Sequence, residues 1–201
     1  MRHRGTHHVL AARRGPRPLL AVASLCCALA ATAPATAHAQ GAPLDGLHLA
    51  LRAHHTAPPA AALEQLATDL VAALRGVIGD EHEPMLVRRR AVLVLAELPD
   101  PRAEVELTDL ISGSPHGALR RASARALTRR LADRDPGRLV ALLSDLLRSR
   151  DPDDRETAVW LLARVDAPAA RERLARQRVV ERHRAVVDAL RRVASGRISR
   201  P

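Results

Sequence analysis

The chain contains no lysine, no phenylalanine and no tyrosine, and its single aromatic residue is Trp160. A core must therefore be assembled from Leu, Val, Ile and Ala. Aliphatic cores of that kind suit packed helices, whereas strands draw on aromatic and β-branched residues. Scarcity of aromatics also argues against single-stranded nucleic acid, whose bases are held by stacking platforms. Cysteine is almost missing too. The two that occur, Cys26 and Cys27, lie together inside an N-terminal apolar run. Without that run the chain would have no disulfide, no thiol nucleophile and no Cys-ligated metal.

What is present begins with a leader. Arg2, Arg4, Arg13, Arg14 and Arg17 form a basic stretch free of acids, and Leu19 to Ala33 follows as an apolar run. The run is short for a bilayer span, which needs about 20 residues. Next comes "ATAHAQ", which places Ala37 and Ala39 at the small-residue positions of a cleavage site. Residues 1–39 are expected to be a signal peptide, cleaved after Ala39, with export to the periplasm or beyond and no transmembrane span afterwards. The whole chain carries 32 arginines and a formal charge of +10, and loss of the leader leaves 27 arginines against 22 acids, or +5. That surface is modestly basic.

Residues 40–60 hold Gly41, Pro43, Gly46, Pro58 and Pro59 and read as a linker. Residues 61–195 read as the folded domain, with a short tail over 196–201. Leu63, Leu66, Leu70, Val71 and Leu74 recur at spacings of three and four, one apolar helix face. Helix starts then repeat: Asp100-Pro101, Asp135-Pro136 and Asp151-Pro152 each supply a capping side chain followed by a proline that loses nothing in the first turn. Ser114-Pro115 and Asp166 with Pro168 are near relatives. Between the starts lie four segments that align in phase: "VRRRAVLVLAEL" from Val87, "LRRASARALTRR" from Leu119, "DRETAVWLLARV" from Asp154 and "RHRAVVDALRRV" from Arg182. Their late leucines fall at Leu95, Leu127, Leu162 and Leu190. Their early basic position falls at Arg88, Arg120, Arg155 and His183. A period near 30 residues marks a helical repeat array.

On these features the chain resembles HEAT repeats, including the short bacterial HEAT-like kind. The resemblance implies an all-α fold, a short right-handed α-solenoid of about four helix pairs. It also implies that Arg88, Arg120 and Arg155 are structural, each pairing with an acid in a neighbouring turn, with Asp151, Asp153 and Asp154 as candidates. Ala91, Ala122, Ala158 and Ala185 would permit close helix approach, and Trp160 would join the core.

One segment is more basic than a repeat requires. From Ser112 to Ala132 there is no acid, and Arg121, Arg125 and Arg129 stand at i, i+4 and i+8 on one helix face, with Arg130 beside them. Like charges so placed repel by a few tenths of a kcal/mol per pair. These four arginines are the candidate binding residues, for an acidic surface on a protein partner. Nucleic acid is disfavoured by the leader and by the lack of stacking aromatics. No cofactor and no metal are expected: the histidines beyond the leader, among them His48, His54, His55, His82 and His116, lack both helical H-x-x-x-H spacing and Cys partners. No nucleophile elbow or phosphate loop is seen either. The function expected is a non-enzymatic scaffold or adaptor in the periplasm or envelope. Two alternatives stand beside it. One is a lyase-like accessory role on a partner protein, since some bacterial HEAT-like proteins act on bilin chromophores. The other is polyanion binding, should the chain not be exported.

Overall fold

The structure is a computed structural model, described for residues 41–53 and 57–196. The leader, His54, His55 and residues 197–201 lie outside the described residues. Every regular element among the described residues is an α-helix. In chain order these are α1 (Gly41–Ala53), α2 (Ala60–Leu63), α3 (Leu70–Gly79), α4 (Met85–Glu97), α5 (Pro101–Gly113), α6 (Gly117–Leu131), α7 (Pro136–Leu147), α8 (Pro152–Leu162), α9 (Pro168–Val180) and α10 (Arg184–Ala194).

Four consecutive pairs, α3–α4, α5–α6, α7–α8 and α9–α10, build an α-solenoid. The second helices, α4, α6, α8 and α10, touch in sequence and make one layer. The first helices, α3, α5, α7 and α9, touch in sequence and make the other. The core lies between the layers and is aliphatic throughout. Leu95, Leu127, Leu162 and Leu190 are all buried in it, with Leu107, Leu139 and Leu143 from the opposite layer. A lone helix pair could not cover both of these faces, and stacking makes the core continuous.

The helix starts have local causes. Asp100 accepts from the Arg102 amide at 2.8 Å, Asp135 from the Arg138 amide at 3.0 Å and Asp151 from the Asp153 amide at 2.9 Å. Each is followed by a proline at the first helical position, as the free amides of a first turn favour. Asp69 caps α3 in the same way, accepting from the Ala72 amide at 3.1 Å. Two residues past α10, Gly196 has a φ of 68°, the left-handed conformation that glycine supplies after a helix.

Three expectations are corrected. The stretch read as a linker is helical over Gly41–Ala53, because Leu47 and Leu51 are fully buried and α1 docks on α4. Glycine and proline content misled there. The first apolar face is split: α2 ends at Leu63, a turn follows, and α3 begins at Leu70. Ala185 is exposed and so does not serve as a packing alanine, whereas Ala189 on the same helix is fully buried.

Candidate functional site

The arginines sort by what they touch. Those at the early repeat position turn back on the first helix of their own pair. Arg88 donates from Nε to the Ile78 carbonyl at 2.7 Å, Arg120 from Nη1 to the Ser114 carbonyl at 2.7 Å, and Arg155 from Nη1 to the Ser149 carbonyl at 3.0 Å. Carbonyls at a helix end lack partners within the helix, so a cation there is doubly satisfied. Each of these arginines also reaches the next pair. Arg120 donates to Asp154 at 2.7 Å, and Arg155 binds both Glu181 oxygens at 3.0 and 3.1 Å. Arg88 meets His116 Nε2 at 3.4 Å where the others meet an acid.

The two acids are the most committed carboxylates of the array. Asp154 is 0% exposed and accepts from Arg120, from Arg121 Nη1 at 3.0 Å and from Ser149 Oγ at 2.9 Å. Gly117 makes room for this cluster. A Cβ on it would stand 2.7 Å from Arg121 Nη1 and 2.8 Å from Asp151 Oδ2. Glu181 accepts from Arg155, from Gln177 Nε2 at 2.8 Å and from the amides of Arg182 and His183 at 3.0 and 2.9 Å. The Arg155 hydrogen bonds, aided by Gln177 and those amides, outweigh burial and hold its pKa down to about 2. A cleft of ≈ 630 Å³ opens beside these junctions, but Arg120 and Asp151 on its wall already bind each other's neighbours.

Of the four candidate binding arginines, two belong to this internal set. Arg121 pairs with Asp151 and Asp154 at 3.1 and 3.0 Å. Arg130 donates to the Leu98 carbonyl at 2.6 Å, closing the end of α4. In the repeat register Arg130 stands where Leu98, Val165 and Val193 stand in the other pairs, and a guanidinium on a helix end substitutes for an apolar contact there. Both therefore leave the open stripe.

Arg125 and Arg129 remain on it. Both are exposed on α6, and neither has an ion pair or hydrogen bond among the described residues. Partial burial, with the like charges of Arg89 and Arg121 nearby, lowers the pKa of Arg125 from its ordinary value. Arg89 on α4 is exposed and free in the same sense, and so is Arg164, just past α8. Neither was singled out from the sequence. The signal was available, since Arg89 aligns with Arg121 and Arg164 aligns with Arg129. Four uncommitted arginines thus lie across the outer face of α4, α6 and α8.

Trp160 belongs to this face. It is half-buried on α8, donating from Nε1 to Glu156 at 3.2 Å, with the Arg192 guanidinium 5.1 Å from its ring centre. In register it aligns with Arg125 and Leu93, positions that look outward. The expectation of a core tryptophan holds in part: Trp160 packs against the aliphatic core and keeps the rest of its surface on this face. No group of three or more His, Cys, Asp or Glu among the described residues is placed to hold a metal ion. His48 is instead tied to Glu83 at 2.6 Å, beside Arg52 on the same acid at 2.8 Å, which fastens α1 to the α3–α4 turn.

No protein-family model matches the chain, and no curated protein sequence does. A solved structure does. The fold is similar to the complex of CpcE and CpcF of phycocyanin lyase from Nostoc sp. PCC7120, at 19% identity and a TM-score of 0.50. The match covers 75% of this chain and 99% of that chain. The chain has the all-helical repeat fold. The same finding overturns the expectation of a non-enzymatic protein, because the matching helical repeat is part of a lyase. No helix among the described residues is long and apolar enough to cross a membrane.

Proposed function

We propose that this chain is a lyase-like HEAT protein that acts on a partner protein, holding the partner against the outer face of α4, α6 and α8. The observation that carries this reading is the arginine division. The array satisfies the arginines it needs with carbonyls and buried acids, yet Arg89, Arg125, Arg129 and Arg164 stay uncommitted among the described residues, on the helix layer that also carries the half-buried Trp160. Unrelieved like charge on one face is costly to keep without a ligand to relieve it. Trp160 adds the kind of anchor on which interface energies concentrate. The lyase-like character is supported by the fold likeness along nearly the whole length of one subunit of a two-chain lyase.

Export to the periplasm or envelope is part of the proposal and rests on the leader alone. N-terminal sequencing of the protein recovered from source cells should begin at Gln40. Recovery of full-length chain from the soluble cytoplasm would overturn that part without touching the rest.

The decisive experiment is the intact mass of the partner. A tagged chain is cross-linked in its source cells, the captured protein is identified, and its mass is compared in cells with and without the gene. The reading expects a partner whose covalently attached group differs between the two. A partner of identical mass in both defeats the lyase-like reading.

A further inference from the structure

The C-terminal end of the array presents a different surface from the face just described. Along the first-helix layer each helix is covered by its successor: α5 lies on α3, α7 on α5 and α9 on α7. After α10 no helix follows among the described residues. The N-terminal end is closed by α1, whose Leu47 and Leu51 are fully buried. At the other end no described helix covers α9 and α10. Only Ala170 and Leu174 of α9 are buried, and Val179 and Val180 are 73% and 64% exposed.

Where a following helix would lie, α9 and α10 frame a cleft of ≈ 230 Å³. Its floor is Leu174, Ala175, Leu190 and Val193. Its rim is Arg171 and Arg178, one helical turn to either side of the apolar pair on α9. Arg178 has no ion pair among the described residues, and Arg171 has only the wholly solvent-facing Asp166, at 3.2 Å. An apolar floor between two arginines is the negative image of an amphipathic helix with apolar residues at i, i+3, i+4 and i+7 and acids beside them.

We propose that the α9–α10 cleft docks an acidic amphipathic helix of a different protein, which continues the helix-on-helix stacking of the array. A second copy of this chain is a poor occupant. End-to-end pairing would set Arg171 and Arg178 against the same two arginines, and facing like charges oppose association. A flexible acidic tail without an apolar stripe would leave the floor wet. This surface is separate from Arg89, Arg125, Arg129, Arg164 and Trp160, so its failure and the failure of the proposed function are distinguishable.

The test uses the full chain and a labelled synthetic peptide with leucines at i, i+3, i+4 and i+7 flanked by glutamates. A second peptide carries lysine for every glutamate, and a third is polyglutamate. Fluorescence anisotropy should show the first peptide binding well above the other two, since polyglutamate can meet arginines but not the apolar floor. The Arg171→Glu/Arg178→Glu variant should lose the acidic peptide by about tenfold or more, as expected when charge partners at a docking site are reversed, and should gain the lysine peptide. Ala175→Gln with Ala194→Gln, both at exposed positions, should block the cleft without disturbing the core. Arg125→Gln/Arg129→Gln should bind the acidic peptide like the wild type. Equal binding of polyglutamate, or loss of binding in the Arg125/Arg129 variant only, would overturn the proposal. So would a dimer in sedimentation that Ala175→Gln/Ala194→Gln dissolves, since the occupant would then be a second copy.

Discussion

Arg155 and Glu181 show how a single repeat position does its work. The guanidinium is 17% exposed and the carboxylate 4%, so water screens their contact poorly. Arg155→Ala should cost about 1.5–3 kcal/mol, the usual size of a hydrogen bond to a charged group, because Glu181 would stay buried with fewer donors. Thermal melts would measure it. The pair also sets an acid limb. Glu181 has a folded pKa of about 2, below its ordinary value of 4.5. A depressed carboxylate pKa stabilises the fold fully above the unfolded pKa and loses that stability as pH falls through the folded one. Melting temperature should therefore drop between about pH 5 and pH 2, and Glu181→Gln should be less stable near neutrality but flatter across that window. Ser123 offers the opposite case. Its hydroxyl is fully buried with no hydrogen-bond partner among the described residues, and the repeat register places alanine there at Ala91 and Ala158. Ser123→Ala should raise stability by about 1 kcal/mol, the lower range for relieving an unmade hydrogen bond, and a melt that falls instead would show that the hydroxyl has a partner.

Helices were legible in the sequence where a start signal and a core period agreed. Asp-Pro pairs at Asp100, Asp135 and Asp151 fix α5, α7 and α8, and the late leucines fix the inner face of α4, α6, α8 and α10. Leu162→Ala should leave a cavity in the α8 layer and cost about 2–5 kcal/mol, read as a lower denaturation midpoint. Helix α1 was not legible, since Gly41, Pro43 and Gly46 resemble a linker and the buried pair Leu47 and Leu51 gives too short an apolar period to outweigh them. The partners of the arginines were only half legible. Spacing along α6 puts Arg121, Arg125 and Arg129 on one side, but which of them meets Asp154 depends on where α8 crosses, and that crossing is a tertiary fact. Trp160 was half legible for a related reason: it packs against the core, but an apolar run on a short helix does not say which of its members also reaches the surface.

Across the whole molecule the charge is arranged by layer. Acids at Asp154, Glu181 and Glu104 are buried where pairs meet, and Glu83 where α1 meets the first pair, each bound by arginine. Uncommitted arginines lie on the outer face of α4, α6 and α8, and Arg178 stands beside the α9–α10 cleft. The division can be tested on the outer face directly. The variant Arg89→Gln/Arg125→Gln/Arg129→Gln/Arg164→Gln should melt at or slightly above the wild-type temperature, because like-charge repulsion is removed. Partner capture by that variant, measured per amount of folded protein against wild type at the same salt, is the most direct measurement of the proposed function. The expected result is loss of capture by the variant and loss of wild-type capture as salt rises. Full capture by a folded quadruple variant would contradict the assignment of this face.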